Sequence, residues 1–223
     1  MSFSDIMGWM GTSISIIFYI APIIPITKLI KKQIDIKEIP GPLLLMSFMN
    51  TIFWTVYGLR GNKTQLFICN FVGGVITAIF IIIYLIYLTK INLILIAISN
   101  LLFSNLVIEL FYCLYKIFNK NNTIGLIAMI VNILMYAAPG AKIYQVFITG
   151  NYKLIPIYSS IIAMFNSICW LLYGIALKDV NVIIPNAAGV LLAIIQIFVW
   201  KIFYDKSKKK NLNDNLQGKL QFQ

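Results

Sequence analysis

The chain has 223 residues, of which 60% are hydrophobic and 11% charged, where a soluble domain is about half apolar and about a quarter charged. Its mean hydropathy of +0.87 describes a polytopic membrane protein and leaves little chain for a soluble domain. The formal net charge of +11 would suit nucleic acid, but the lysines lie between apolar runs and in the C-terminal stretch, where membrane topology accounts for them, so nucleic acid is excluded.

A spanning helix takes about 20 apolar residues, which gives seven spans with short loops. Span one covers about 6–27. It has no basic n-region and runs on to Lys28, so it reads as a spanning helix and not as a cleaved signal peptide. Span two is about 41–59 and is ended by Arg60, Gly61 and Asn62; span three is about 65–89. Spans four to seven follow at about 91–118, 123–147, 155–177 and 180–203. The residues 205–223 are polar and lysine-rich and are expected to form a disordered tail.

One set of loops, with the tail, holds Lys28, Lys31, Lys32, Lys37, Lys90, Lys142, Lys153, Lys201, Lys206, Lys208–Lys210 and Lys219. The other holds only Arg60, Lys63, Lys116, Lys120 and Lys178. The positive-inside rule makes the first set cytoplasmic, with the N-terminus outside and the C-terminus inside. Cys69, Cys113 and Cys169 fall within spans, so no disulfide framework is implied. There is no histidine. Glu109, in span four, is the one clearly intramembrane acid. Metal hydrolysis, triads and most acid–base chemistry therefore lack their side chains: the chain does not read as an enzyme, and no cofactor or metal is expected. With Glu109 in a helix that has no repeat partner, passive facilitation is favoured over ion coupling.

Much of the chain occurs twice. A shift of 116 positions takes Pro156, Asn166, Trp170, Tyr173, Gly174, Asn186 and Gly189 to Pro40, Asn50, Trp54, Tyr57, Gly58, Asn70 and Gly73. A shift of 117 takes Tyr136, Ala138 and Pro139 to Tyr19, Ala21 and Pro22. Each repeat holds three spans, so the second starts on the same side as the first only if the chain crosses once more between them. Span four supplies that crossing. The expected fold is an all-α membrane protein of seven helices, two parallel three-helix repeats (1–90 and 121–204) joined by a linker helix (91–120), a 3+1+3 plan.

Pro22, Pro40, Pro139 and Pro156 form two repeat-related pairs at the cytoplasmic ends of their helices. A proline removes a helical hydrogen bond, so four at one depth read as hinges around a gate. Trp54 and Trp170 lie six and eight residues before the basic residues Arg60 and Lys178, roughly 9–12 Å below the outer loops. Asn70 and Asn186 reach a similar depth on adjacent helices. Asparagine in hydrocarbon is costly without partners. These side chains either bond across helices or face a wet cavity that takes a polar ligand. Paired rings and paired carboxamides suit a sugar, the rings covering its C–H faces and the amides reading its hydroxyls. Asn50 and Asn166, one turn before each tryptophan on the same face, line the cytoplasmic side of that cavity or serve as helix glue.

The segments Ile20-Ala21-Pro22, Glu38-Ile39-Pro40, Asn50 with Trp54, Tyr57 and Gly58, and Asn70 with Gly73 resemble the SWEET (MtN3/saliva) sugar transporters. So do Tyr136-Ala137-Ala138-Pro139, Leu154-Ile155-Pro156, Cys169-Trp170-Leu171-Leu172-Tyr173-Gly174 and Ile184-Pro185-Asn186. The resemblance implies a sugar pocket at Trp54, Trp170, Asn70 and Asn186 and gate motion supported by Pro22, Pro40, Pro139 and Pro156. Many plant members carry a small residue where Trp54 stands, and two bulky rings would narrow the cavity, which points to a monosaccharide such as glucose. Related families that move amino acids or other solutes carry a Pro-Gln dipeptide, whereas Pro22 precedes Ile23 and Pro139 precedes Gly140. The expected function is uniport of a sugar across a lipid bilayer by alternating access. The rivals are a carrier of another small solute and a seven-span receptor. The sequence leaves the sugar, the membrane and assembly into a homo-oligomer open.

Overall fold

The computed structural model of the protein describes residues 1–89, 116 and 121–220. Apart from Lys116, the expected span four, with Glu109 and Cys113, lies outside the described residues. Among the described residues every regular element is helical, and six helices are long and apolar enough to cross a membrane: Phe3–Ile30, Gly41–Arg60, Thr64–Leu88, Asn122–Thr149, Ile157–Ala176 and Val180–Lys209.

Helix α1 (Phe3–Ile20) starts on a capping box, in which Ser2 Oγ accepts from the Asp5 amide and the Asp5 carboxylate accepts from the Ser2 amide. It stops at Ala21 and resumes as α2 (Ile23–Ile30), because Pro22 has no N–H to return to the carbonyl of Phe18. The second repeat also breaks beside its equivalent proline, but at Tyr136, the position equivalent to Tyr19. Helix α5 (Asn121–Met135) gives way at Tyr136 to α6 (Ala137–Thr149), where Pro139 withholds the amide that would bond Met135. Spans one and five are thus broken helices, not continuous ones.

Helices α3 (Gly41–Arg60) and α7 (Ile157–Ala176) each begin directly after a proline, Pro40 and Pro156, where a fixed φ costs nothing. Each proline follows a single 3-10 turn, at Ile36–Glu38 and Tyr152–Leu154. Tight turns then lead into α4 (Thr64–Thr89) and α8 (Val180–Leu220). The turn residues Asn62 and Lys178, equivalent under the repeat, both sit in the left-handed region at φ 52° and 54°.

The helices pack as a closed ring in the order α1, α4, α3, α5, α8, α7 and back to α1. Each repeat keeps its three helices side by side, and two equivalent contacts, α3 on α5 and α7 on α1, join the repeats, as a two-fold axis along the bundle requires. Val56, Ile124 and Ala128 are fully buried at the α3–α5 contact, while Phe71, Ile79, Leu191 and Phe198 point outward and stay exposed. A soluble protein would not leave such a surface bare; a bilayer covers it.

Helix α8 runs 41 residues to Leu220, so the backbone stays helical where composition predicts a disordered tail from 205. No proline or glycine interrupts the chain between Gly189 and Gly218. Aromatic contacts at the start of the extension, Tyr152 on Trp200 and Tyr204 and Phe147 on Phe203, hold it against α6 and the 3-10 turn.

Candidate functional site: a two-fold central cavity

The ring of helices encloses a cavity of about 350 Å³. All six residues singled out for ligand binding line it: Asn50 and Trp54 from α3, Asn70 from α4, Asn166 and Trp170 from α7, and Asn186 from α8. The two tryptophans are almost wholly buried. Each meets the tyrosine one turn further on edge to face, Trp54 with Tyr57 at 5.7 Å and Trp170 with Tyr173 at 5.3 Å between ring centroids. These tyrosines fix the indole rotamers in both repeats.

Apart from Cys69 and Ser167, the remaining lining residues come in repeat-related pairs too, and sequence reasoning gave them no role. Ser15, Phe18 and Tyr19 on α1 correspond to Asn132, Met135 and Tyr136 at the end of α5. Ser47 and Leu66 correspond to Ala163 and Val182. The signal was present: the two shifts that aligned the identities also align these positions, although most of the residue types differ.

The glycines that mark the repeat serve the tyrosines. A Cβ on Gly73 would clash with the Tyr19 ring, and one on Gly189 would lie 2.7 Å from Tyr136 Oη. Each tyrosine therefore crosses from its broken helix to a glycine on the last helix of its own repeat. Tyr136 donates from its hydroxyl to the Pro185 carbonyl at 2.9 Å, and Tyr19 donates to Asn70 Oδ1 at 3.1 Å.

Polar contacts inside the cavity are part interhelical and part unspent. Asn70 Nδ2 donates to the Leu66 carbonyl at 2.8 Å and Asn186 Nδ2 to the Val182 carbonyl at 2.7 Å, the same bond one turn back. Trp170 Nε1 donates to Ser15 Oγ at 3.1 Å, and Ser15 donates to Asn166 Oδ1 at 3.0 Å. Asn166 is therefore both cavity lining and interhelical glue. Its counterpart Asn50 is not: Asn50 Oδ1 is buried without a hydrogen-bond partner. A buried acceptor without a donor is rare in a settled core and suits a ligand hydroxyl.

At the end of the bundle that carries the N-terminus, a polar clasp closes over the cavity. Asp179 accepts from Lys63 Nζ at 2.5 Å and from the Tyr57 hydroxyl at 2.8 Å, with its side chain 6% and that of Lys63 16% exposed. Lys63 and Asp179 are equivalent positions of the two repeats, so the ion pair crosses the two-fold axis. Burial opposes the charge on Lys63, but the hydrogen bonds and charge of Asp179, aided by Tyr57, outweigh it and hold the ammonium pKa above the usual lysine value. Two equivalent amide bonds flank the pair, Gln65 Nε2 to Asp5 Oδ1 at 2.8 Å and Asn181 Nδ2 to Asn122 Oδ1 at 3.0 Å. The opposite end holds the four prolines. Pro40 and Pro156 are exposed there, and Pro22 and Pro139 are half-buried. Among the described residues no hydrogen bond or ion pair joins α2 to α6. Polar side chains therefore join the two repeats at the N-terminal end, and among the described residues none joins α2 to α6 at the other.

Comparison with known proteins agrees with this two-fold plan. A family model described as a sugar efflux transporter for intercellular exchange matches the chain twice, over residues 5–92 and 122–209. The bidirectional sugar transporter SWEET5 of Arabidopsis thaliana is 26% identical over 96% of this chain and 90% of its own length. SWEET7b of Oryza sativa subsp. japonica is 25% identical over 93% of this chain and 82% of its own. A structure of a eukaryotic SWEET transporter shares the fold, with a TM-score of 0.77 at 19% identity, covering 91% of this chain and 97% of that one. The chain belongs to the SWEET (MtN3/saliva) family of sugar transporters.

Proposed function

We propose that the chain is a uniporter that moves a sugar, a monosaccharide such as glucose, down its gradient across a membrane by alternating access. The cavity carries this reading: two tryptophan faces and the carboxamides of Asn50, Asn70 and Asn186 meet in one closed ring of helices. Its volume of about 350 Å³ lies at the small end of ligand pockets, which run from about 300 to 1,000 Å³, and so favours a single ring over a longer saccharide. The names of the relatives, bidirectional sugar transporters, support the same substrate class.

In this reading the chain has seven spans in a 3+1+3 plan, with residues 91–118 crossing between the repeats. The N-terminus lies outside and the C-terminus in the cytoplasm. The clasp of Lys63, Asp179 and Tyr57 is then the outer gate, here shut, and the conformer opens to the cytoplasm. Pro22, Pro40, Pro139 and Pro156 are the hinges of the inner gate. Transport consists of shutting the proline end and parting the clasp around a sugar held between Trp54 and Trp170, with no coupled ion.

The test is radiolabelled glucose counterflow in proteoliposomes, alongside Asn186→Ala and Trp170→Ala. Saturable exchange that survives collapse of the proton gradient and is lost in both variants is expected. Exchange that needs an imposed proton gradient would sink the uniport mechanism. A folded protein that exchanges amino acids and no sugar would overturn the substrate.

A further inference from the structure

At the repeat-related asparagines Asn70 and Asn186 the cavity keeps the residue type but not the hydrogen bonding, and at this pair the difference lies in one hydroxyl. Asn70 and Asn186 occupy equivalent positions, and each spends one N–H on the carbonyl four residues back. Those carbonyls only accept, so each amide nitrogen must face them, which fixes the orientation of both carboxamides. Beyond this the two sites part. Tyr19 donates to Asn70 Oδ1, whereas the equivalent Tyr136 donates to the backbone at Pro185 and leaves Asn186 alone. The second N–H of Asn70 is left over as a donor. Asn186 keeps its Oδ1 as an open acceptor on the opposite side of the axis.

We propose that Tyr19 is a positioning residue: by holding Asn70 Oδ1 it presents Asn70 to the cavity as a hydrogen-bond donor, opposite Asn186 as an acceptor, so that a sugar binds in one orientation. A two-fold cavity with two identical asparagines would accept a hexose either way round. A hexose has no two-fold axis, so only one of the two poses would satisfy the gates in a given state. At this pair of asparagines the Tyr19 hydroxyl removes that degeneracy through its bond to Asn70. Its ring is seated against Gly73, and it stands three residues before Pro22 on the same broken helix, so the donor is carried by a hinge-bearing element.

This rests on the transport reading above, which wild-type glucose exchange establishes by itself. The deciding experiment is a double-mutant cycle on KM and the maximal rate of glucose exchange, with Tyr19→Phe, Asn70→Ala and the pair. Tyr19→Phe keeps the ring in the Gly73 seat and removes only the hydroxyl. The expected result is a rise in KM of about three- to tenfold, the worth of one neutral hydrogen bond, with the maximal rate nearly unchanged. In the Asn70→Ala background the same substitution should change KM by less than about twofold, because its target is gone. Tyr136→Phe loses a bond to backbone only, so whatever it does to KM should be the same with and without Asn70. Given a wild type that exchanges glucose, an unaltered KM in Tyr19→Phe overturns the proposal, as does an equal effect with and without Asn70. If the effect is purely structural, melting temperature and maximal rate fall while KM stays.

Discussion

Neutralising Asp179 should unlatch the N-terminal end of the bundle. The Lys63–Asp179 pair is short and mostly buried, with 16% and 6% of the two side chains exposed, and the Tyr57 hydroxyl also ends on Asp179. Breaking a buried pair by removing one partner costs about 3–5 kcal/mol. Lys63 keeps partial access to water, so we take about 2–3 kcal/mol for Asp179→Asn, against the shut state alone. That shifts the balance between shut and open forms by about 30- to 150-fold. Cys69 lines the cavity and is almost fully buried, so with Cys113 and Cys169 replaced by alanine it reports entry. A membrane-impermeant thiol reagent applied from the N-terminal side should label it that much faster in Asp179→Asn. Because the two positions are equivalent, the swap Lys63→Asp with Asp179→Lys should rebuild the pair and bring labelling back to within about threefold of wild type. A labelling rate that Asp179→Asn leaves unchanged, or a swap that labels faster than the single variant, would refute the clasp.

Gly189→Ala places a methyl 2.6 Å from Ser167 Oγ and 2.7 Å from Tyr136 Oη; it should destabilise by about 1–3 kcal/mol, read as a lower melting temperature in detergent, and added Tyr136→Leu should recover part of the loss. Lys178 is exposed at φ 54°, so Lys178→Gly should raise stability by about 0.5–1 kcal/mol; a decrease would show that its side chain holds the turn. Pro22→Ala restores the missing amide between α1 and α2 and should slow glucose exchange at least about fivefold with little change in KM; a raised KM at full rate would place Pro22 in binding instead of motion.

The internal repeat made most of the cavity legible, because identical residues at a constant shift survive where side chains must meet across an axis. Trp54, Trp170, Asn70 and Asn186 were found in this way, and the structure puts them on one cavity. What escaped was of two kinds. On α1 and α5 the shift changes by one and most of the lining types differ, Ser15 against Asn132 and Phe18 against Met135, so a search for identities passes over them. The clasp escaped for the opposite reason. An ion pair across a two-fold axis demands unlike residues at equivalent positions, and Lys63 against Asp179 looks like a mismatch. The helical extension of α8 was missed because a polar lysine-rich stretch gives no apolar signal, and what continues the helix is the absence of a breaker together with aromatic packing from Trp200 and Tyr204.

The unlike charges at the axis also bear on ancestry and assembly. Two copies of the first half would bring Lys63 against Lys63, and two copies of the second would bring Asp179 against Asp179. Like charges at that separation repel where the present pair attracts. At this pair of positions each half complements the other and not itself. If the chain arose by joining two copies of one ancestral unit, divergence at this single pair of positions has made the fusion irreversible: halves expressed apart should reassemble only one to one.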